Sequence, residues 1–192
     1  MTEHLEGSGF SLRRATGLDL DFLVGLATHE DVEPFMAAVS ARDRDAFAEE
    51  VRRAEAEPAH YGRFVVEVEG ERAGAMAFEV TNRRSRIAHL YGIMLHPEFR
   101  SRGLADEAAR LLARHLILDL DYHRLELECY GFNPRAIRHA ERSGYVREGV
   151  RRKAYRRHGE WVDGVMFGLI REDLEGSRSG LDSRPFQAGD SS

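Results

Sequence analysis

Leu90-Tyr-Gly-Ile-Met-Leu-His-Pro-Glu-Phe-Arg-Ser-Arg-Gly-Leu-Ala105 is the stretch on which the reading of this chain turns. Tyr91, Ile93 and Leu95 alternate with residues of the opposite face, and Pro97, which lacks a backbone donor, ends the ladder. Beyond it, Leu104, Ala108, Leu111, Leu112 and Leu116 recur at three- and four-residue steps, with Asp106, Glu107, Arg110 and Arg114 on the other side. The pattern predicts a strand that passes through a tight turn into an amphipathic helix continuing to about Leu120. Gly103 and Ala105 let the backbone turn closely, so the unpaired amides of Arg102, Gly103, Leu104 and Ala105 are open to a ligand. Those amides, the helix dipole and the guanidinium groups of Arg100 and Arg102 converge on one point, which suits a phosphate or pyrophosphate. The turn has neither the Lys-Ser/Thr of a P-loop nor the three-glycine spacing of a dinucleotide site.

Composition narrows the class. A chain of 192 residues is long enough for one domain with a core that needs no staples, and its one cysteine, Cys129, excludes an internal disulfide and the Cys/His clusters of structural zinc. No metal site is expected. The net charge of -5 argues against a nucleic-acid footprint despite the many arginines. The first residues carry no apolar leader and no run has the length of a membrane span, so a cytoplasmic protein is expected, with no membrane partner.

Outward from the turn, residues 1–8 read as a flexible N-terminus, 9–175 as one domain, and 176–192, rich in Ser, Gly, Asp and Arg, as a disordered tail. Phe10 to Arg14 reads as a strand. Thr16 to Asp19 has the form of a capping box ahead of a helix carrying Leu18, Phe22, Leu23 and Leu26, and Ser40 to Asp43 has the same form ahead of a second helix with Phe47 and Val51. Between them, Glu30, Asp31 and Glu33 form either a solvated loop or an acidic lip that attracts an amine. Residues 64–69 and 72–80 read as a hairpin, and 87–95 as the next strand. After the long helix, Leu125, Leu127 and Cys129 alternate with Glu126, Glu128 and Tyr130, a strand that a right-handed crossover would set parallel to 87–95. Asn133 caps a helix with Pro134 at its first position and Gly144 beyond its end. An extended run from Tyr145 to Val150, a polar segment to Glu160, read as a solvated hairpin or a docking patch, and a last strand from Trp161 to Ile170 complete the order.

Arg100, Gly103 and Ala105 match the Arg/Gln-x-x-Gly-x-Gly/Ala motif of the GNAT superfamily of acyl-CoA-dependent N-acetyltransferases. Asn133 with Ala136 and Ile137, then Ser143-Gly-Tyr145 and Glu148-Gly149, resemble its second motif, and Gly159-Glu-Trp161 with Asp163 resemble the branch of RimL-type ribosomal-protein and polyamine acetyltransferases. The resemblance spans about residues 10–173. It implies an α/β fold in which a mostly antiparallel sheet of about six to seven strands, flanked by about four helices, splays at a central parallel pair around the acyl-CoA.

The same resemblance implies acetyl-CoA as cofactor and a primary amine as acceptor, from a protein N-terminus to a polyamine or aminoglycoside, and admits a homodimer. Met94 and Leu95 would pair with the pantetheine arm, Arg102, Gly103, Leu104 and Ala105 would hold the pyrophosphate, Asn133 would meet the arm or orient the next helix, and Arg100 and Arg135 would add phosphate contacts. Glu30, Asp31 and Glu33 are the candidate acceptor contacts. The positions at which the family carries its base are His89 and Tyr91, on one strand face; His89 has a suitable pKa and Tyr91 would organise water. Glu128 and Glu126 are rival bases, and Cys129 is a weaker candidate for a covalent nucleophile. Ala140 replaces the tyrosine that commonly protonates the departing thiolate, and Leu90 replaces a glutamate of the closest branch. Tyr130, water or no acid at all would then serve, the last leaving the reaction to positioning; a non-catalytic acyl-CoA-binding or sensing module is the alternative.

Overall fold

The computed structural model describes residues 4–36, 43–100 and 103–174. Eight strands form one sheet: β1 (His4–Glu6), β2 (Ser11–Arg14), β3 (Tyr61–Val68), β4 (Glu71–Asn82), β5 (Ile87–Leu95), β6 (Arg124–Tyr130), β7 (Val146–Arg157) and β8 (Glu160–Ile170). They lie in the order β1-β2-β3-β4-β5-β6-β8-β7. Every neighbouring pair is antiparallel except β5 with β6. The fold is therefore the mixed α/β arrangement anticipated, with the crossover helix joining the parallel pair.

The sheet has two apolar faces because helices cover both. On one face α1 (Leu20–Thr28) and α2 (Arg44–Ala56) bring Leu20, Leu23, Phe47 and Val51 onto Val65, Ala75 and Met94. On the other, α3 (Leu104–Arg114) brings Leu104, Ala108 and Leu112 onto Phe64, Met76, Phe78, Leu90 and Leu125, and α4 (Pro134–Arg142) buries Ala140 beside it. A five-residue π-helical segment, His115–Asp119, continues α3 toward Leu120, so the helical run reaches the length read from its periodicity. None of these helices is long and apolar enough to cross a membrane.

Three differences from the sequence reading have physical causes. The sheet has eight strands rather than six or seven because His4–Glu6, expected to be frayed, pairs with Ser11–Arg13. Residues 151–157, expected as a polar segment, continue β7 against β8. This strand is at the sheet edge with most of its side chains in water, so its ladder rests on backbone bonds and leaves no apolar alternation to read. The capping residue of α2 is Asp43, whose side chain accepts from the Asp45 amide; Ser40 of the anticipated box lies outside the described residues.

The entrance to α1 carries a buried ionic cluster. Asp19 is fully buried and accepts from both Arg13 terminal nitrogens at 2.8 and 2.9 Å and from the Thr16 amide at 2.8 Å, with Arg72 Nε at 3.0 Å. Burial alone would raise its pKa, but the bonds from Arg13 and Thr16 and the charge of Arg13 outweigh it and lower the value from 3.8 to about 2. Asp19→Asn removes the buried carboxylate between Arg13 and Arg72, leaving Arg13 with only Glu67, at 2.8 Å, as counter-charge among the described residues, and is expected to cost about 3 kcal/mol near neutral pH. The depressed pKa makes this stabilisation complete above 3.8 and fading as pH falls toward 2. Urea midpoints of the two proteins should therefore differ at neutral pH and converge below about pH 4; a gap independent of pH would contradict the assignment.

Candidate functional site

The parallel pairing of β5 with β6 is three residues long: Ile87 with Arg124, Ala88 with Leu125 and His89 with Glu126. Past His89 the strands separate. The cause lies in β5, where the register with β4 jumps between Tyr91–Ala77 and Met94–Ala75, so Gly92 and Ile93 together oppose Met76. Gly92 has φ +59, a conformation that favours glycine, and this bulge bends β5 away from β6. Its edge from Leu90 to Leu95 is thereby left without a strand neighbour on the β6 side.

The gap opens into a cleft of about 670 Å³. Of the residues assigned to the cofactor from the sequence, Met94, Leu95, Arg100, Gly103, Leu104, Ala105, Asn133 and Arg135 all line it; Arg102 lies outside the described residues. Gly103 is the N-cap of α3 at φ +74, makes no side-chain cap bond, and has open space where a Cβ would stand, so the first turn of the helix faces the cleft bare. Arg100 is partly committed: its Nε donates to the Leu95 carbonyl at 3.2 Å and its Nη2 to the Asp31 carbonyl at 3.4 Å. Its pKa is lowered by burial and by the nearby charge of Arg135, a proximity of two cations that a phosphate would relieve. Asn133 accepts from the Ala136 amide at 3.1 Å and so caps α4 while bordering the cleft.

At the fork stand the candidate catalytic groups. His89 and Tyr91 share a face, their rings stacked at 6.3 Å and 16°. Burial lowers the His89 pKa below 6.5, only partly opposed by Glu79, Glu126 and Glu128, so the imidazole is neutral at neutral pH. Burial and Glu50 raise the Tyr91 hydroxyl to about 12. Glu128 also lines the cleft; its Oε2 accepts from the Tyr155 hydroxyl at 2.7 Å and from Arg151 at 3.1 Å, while Oε1 is buried without a partner. Glu126 pairs instead with Arg124 at 2.9 Å and does not reach the cleft. Ala140 is fully buried in the core beneath α4.

The three loop carboxylates are not gathered into a lip. Glu30 is exposed and away from the cleft, Glu33 opens a 3₁₀ turn that lines it through Phe35 but not through Glu33 itself, and of the three carboxylates Asp31 alone borders it, 3.7 Å from Arg100. Val32 is buried against the α1–α2 cluster and anchors the loop, so its neighbours fan out in different directions. The loop instead straps the cleft: Phe35 stacks on Phe132 at 6.1 Å, and the Pro34 carbonyl accepts from Arg157 at 3.3 Å and lies 3.2 Å from His158 Nε2. Sequence reasoning missed the lining roles of Glu50, Arg63 and Tyr155. Nothing in the local pattern marks them, since each reaches the cleft from an element remote in sequence.

Residues 10–146 match the model of the acetyltransferase (GNAT) domain. The chain belongs to that family. Against curated GNAT relatives it is 34% identical over 87 residues to the spermidine N(1)-acetyltransferase of Escherichia coli, covering 45% of this chain and 46% of that one. The chain thus spans about half the length of such relatives. The fold superposes with TM-score 0.78 on a Vibrio cholerae spermidine N-acetyltransferase solved with CoA and spermine, at 22% identity and covering 88% and 99% of the two chains. It superposes with TM-score 0.77 on the ribosomal-protein-S5-alanine acetyltransferase of Vibrio fischeri, at 16% identity and covering 90% and 98%. These likenesses establish the fold shared by the RimL and polyamine branch.

A GNAT fold implies acyl-CoA, and the residues present fit it: an unpaired strand edge for an amide-bearing arm, and a bare helix N-terminus beside two arginines for phosphates. Cys129 lines the same cleft, but burial, aided by Glu128, pushes its thiol up to about 12 from an ordinary 9.0. Iodoacetamide at mildly alkaline pH should then modify it about 10³-fold more slowly than a free cysteine. Alkylation at the rate of a free thiol would return it to the list of nucleophiles.

Proposed function

We propose that this protein transfers an acetyl group from acetyl-CoA directly to a primary amine, with no covalent enzyme intermediate. The observation that carries the reading is the fork itself: a strand edge and a helix N-terminus suited to acyl-CoA, with one neutral histidine where the strands part. Acetyl-CoA bound there would supply the activated carbonyl that the amine nitrogen attacks as the carbon–sulfur bond breaks.

The remaining chemistry belongs to the chain. His89 takes a proton from the acceptor nitrogen, which must shed its charge to act as a nucleophile. Tyr91, stacked on His89 and held protonated by burial, keeps the imidazole ring in place and can order a water beside it. Glu128, tied by Tyr155 and Arg151, contributes negative potential that favours the imidazolium after proton transfer. Ala140 offers no proton, so the leaving sulfur is protonated by the Tyr130 hydroxyl or by water. Backbone amides at the β5 bulge supply the donors that stabilise charge on the carbonyl oxygen.

The absence of a hydroxyl at Ala140 is the observation that favours the second reading, a non-catalytic acyl-CoA sensor. Amine-dependent release of free thiol separates the two. His89→Gln should lower kcat by about 10²-fold or more, leaving acetyl-CoA KM near the wild-type value. Protonation of His89 disables the base, so wild-type kcat/KM should rise with pH through a value below 6.5, and the variant should lose that acidic limb. Wild-type rates in the variant would remove His89 from the mechanism.

A further inference from the structure

We propose that the acceptor is a small amine that also carries a carboxylate, and that Arg63 in the floor of the cleft is the residue that reads the carboxylate. The inference rests on the transfer reaction proposed above and adds the chemical class of its acceptor.

The charges of the cleft argue against a polycation. Each carboxylate on its wall is already met by an arginine: Asp31 by Arg100, Glu50 by Arg63, Asp106 by Arg142 at 2.5 Å, and Glu128 by Arg151. An ammonium group entering the cleft would compete with a guanidinium at each of them but one: Glu128 Oε1 is buried without a partner among the described residues and can take a single amine. A polyamine would face that competition at several nitrogens at once.

Besides that acceptor, what is left over is a donor. The Arg63 side chain is 3% exposed; Nε donates to Glu50 Oε2 at 2.8 Å, Nη2 contacts the same oxygen, and Nη1 has no hydrogen-bond partner among the described residues. A buried guanidinium nitrogen without an acceptor is costly, and such groups are nearly always satisfied, so an unmet one bordering a cleft points to a ligand. Gly92 lets the bulge pass close to the buried Nη1 without displacing it. A Cβ built there would lie 2.9 Å from it, so any side chain at the bulge would crowd the nitrogen.

The group is also pre-positioned. The Arg63 guanidinium lies 5.3 Å from the ring centroids of both Phe47 and Tyr91, and Glu50 fixes its rotation. Such a planar, desolvated fork with a free N–H matches a carboxylate oxygen. Glu50 does not cancel this, because its side chain is 26% exposed and water screens its charge, whereas Arg63 is enclosed. Tyr91 sets the spacing: its ring is stacked on His89 on one hand and packed on Arg63 on the other. An amine delivered to His89 and a carboxylate delivered to Arg63 therefore lie on either side of the Tyr91 ring, whose centroid is 6.3 Å from the His89 ring and 5.3 Å from the Arg63 guanidinium, so the chain length between the two groups of an amino or ω-amino acid decides the fit.

Thiol release at saturating acetyl-CoA would be measured with glycine, β-alanine, 4-aminobutanoate, 5-aminopentanoate and the protein amino acids, each beside its carboxamide, and with spermidine. A charge-assisted hydrogen bond made only by the carboxylates predicts a preference over the matched carboxamides of about 30-fold in kcat/KM, peaking at one chain length. Arg63→Gln should collapse the ratio to within about threefold, through a raised KM for the carboxylated acceptor. Should that variant fold poorly, the wild-type ratios alone decide. Carboxamides or spermidine acetylated as well as the carboxylates would overturn the inference while leaving the transfer reaction standing. Tight CoA binding by calorimetry with no thiol release for any amine would overturn the reaction, and the inference with it.

Discussion

Three residue pairs between β5 and β6 are the constraint on which this molecule depends. Were that parallel ladder any longer, backbone groups on both strands would satisfy one another and no cleft would exist. Were it absent, the sheet would fall into two halves. The bulge at Gly92 sets the limit by turning β5 aside just beyond His89, and it converts ladder donors and acceptors into a binding edge. A left-handed glycine in mid-strand is thus the local irregularity from which the functional surface grows.

The rest of the fold holds that fork rigid. Two helices on each face bury Phe64, Phe78 and Leu90 on one side and Val65, Ala75 and Met94 on the other, so neither strand can relax into the gap. The buried cluster around Asp19 ties β2 and β4 to the start of α1, and the following loop crosses the cleft to meet Phe132 and the turn between β7 and β8. The two halves of the splayed sheet are thereby joined at the mouth of the cleft as well as at its root.

The electrostatics of the cleft follow from burial. His89 is kept neutral, while Tyr91 and Cys129 keep their protons. These three groups thus present a neutral imidazole and no thiolate, which suits direct transfer better than a ping-pong route. Internal pairing of Asp31, Glu50, Asp106 and Glu128 leaves, among the described residues, Glu128 Oε1 as a buried acceptor and Arg63 Nη1 as a buried donor in a largely neutralised pocket.

Residues 90–105 were informative on their own because strand alternation, a proline stop, a glycine cap and a helical stripe are local patterns, each set by the geometry of a few consecutive residues. One wall of the cleft, with Met94, Leu95, Arg100, Gly103, Leu104, Ala105, Asn133 and Arg135, was legible for the same reason. The sequence determined the fold class, the order of elements and this wall. It did not determine β1 or the outer half of β7, whose ladders at the sheet edge leave no apolar signature. Nor did it reveal that Glu30 and Glu33 turn away, or that Glu50, Arg63 and Tyr155 come together beside His89. Only the tertiary structure decided the acceptor half of the cleft, because its residues arrive from α2, β3 and β7. Their meeting depends on sheet order and helix packing rather than on any spacing along the chain.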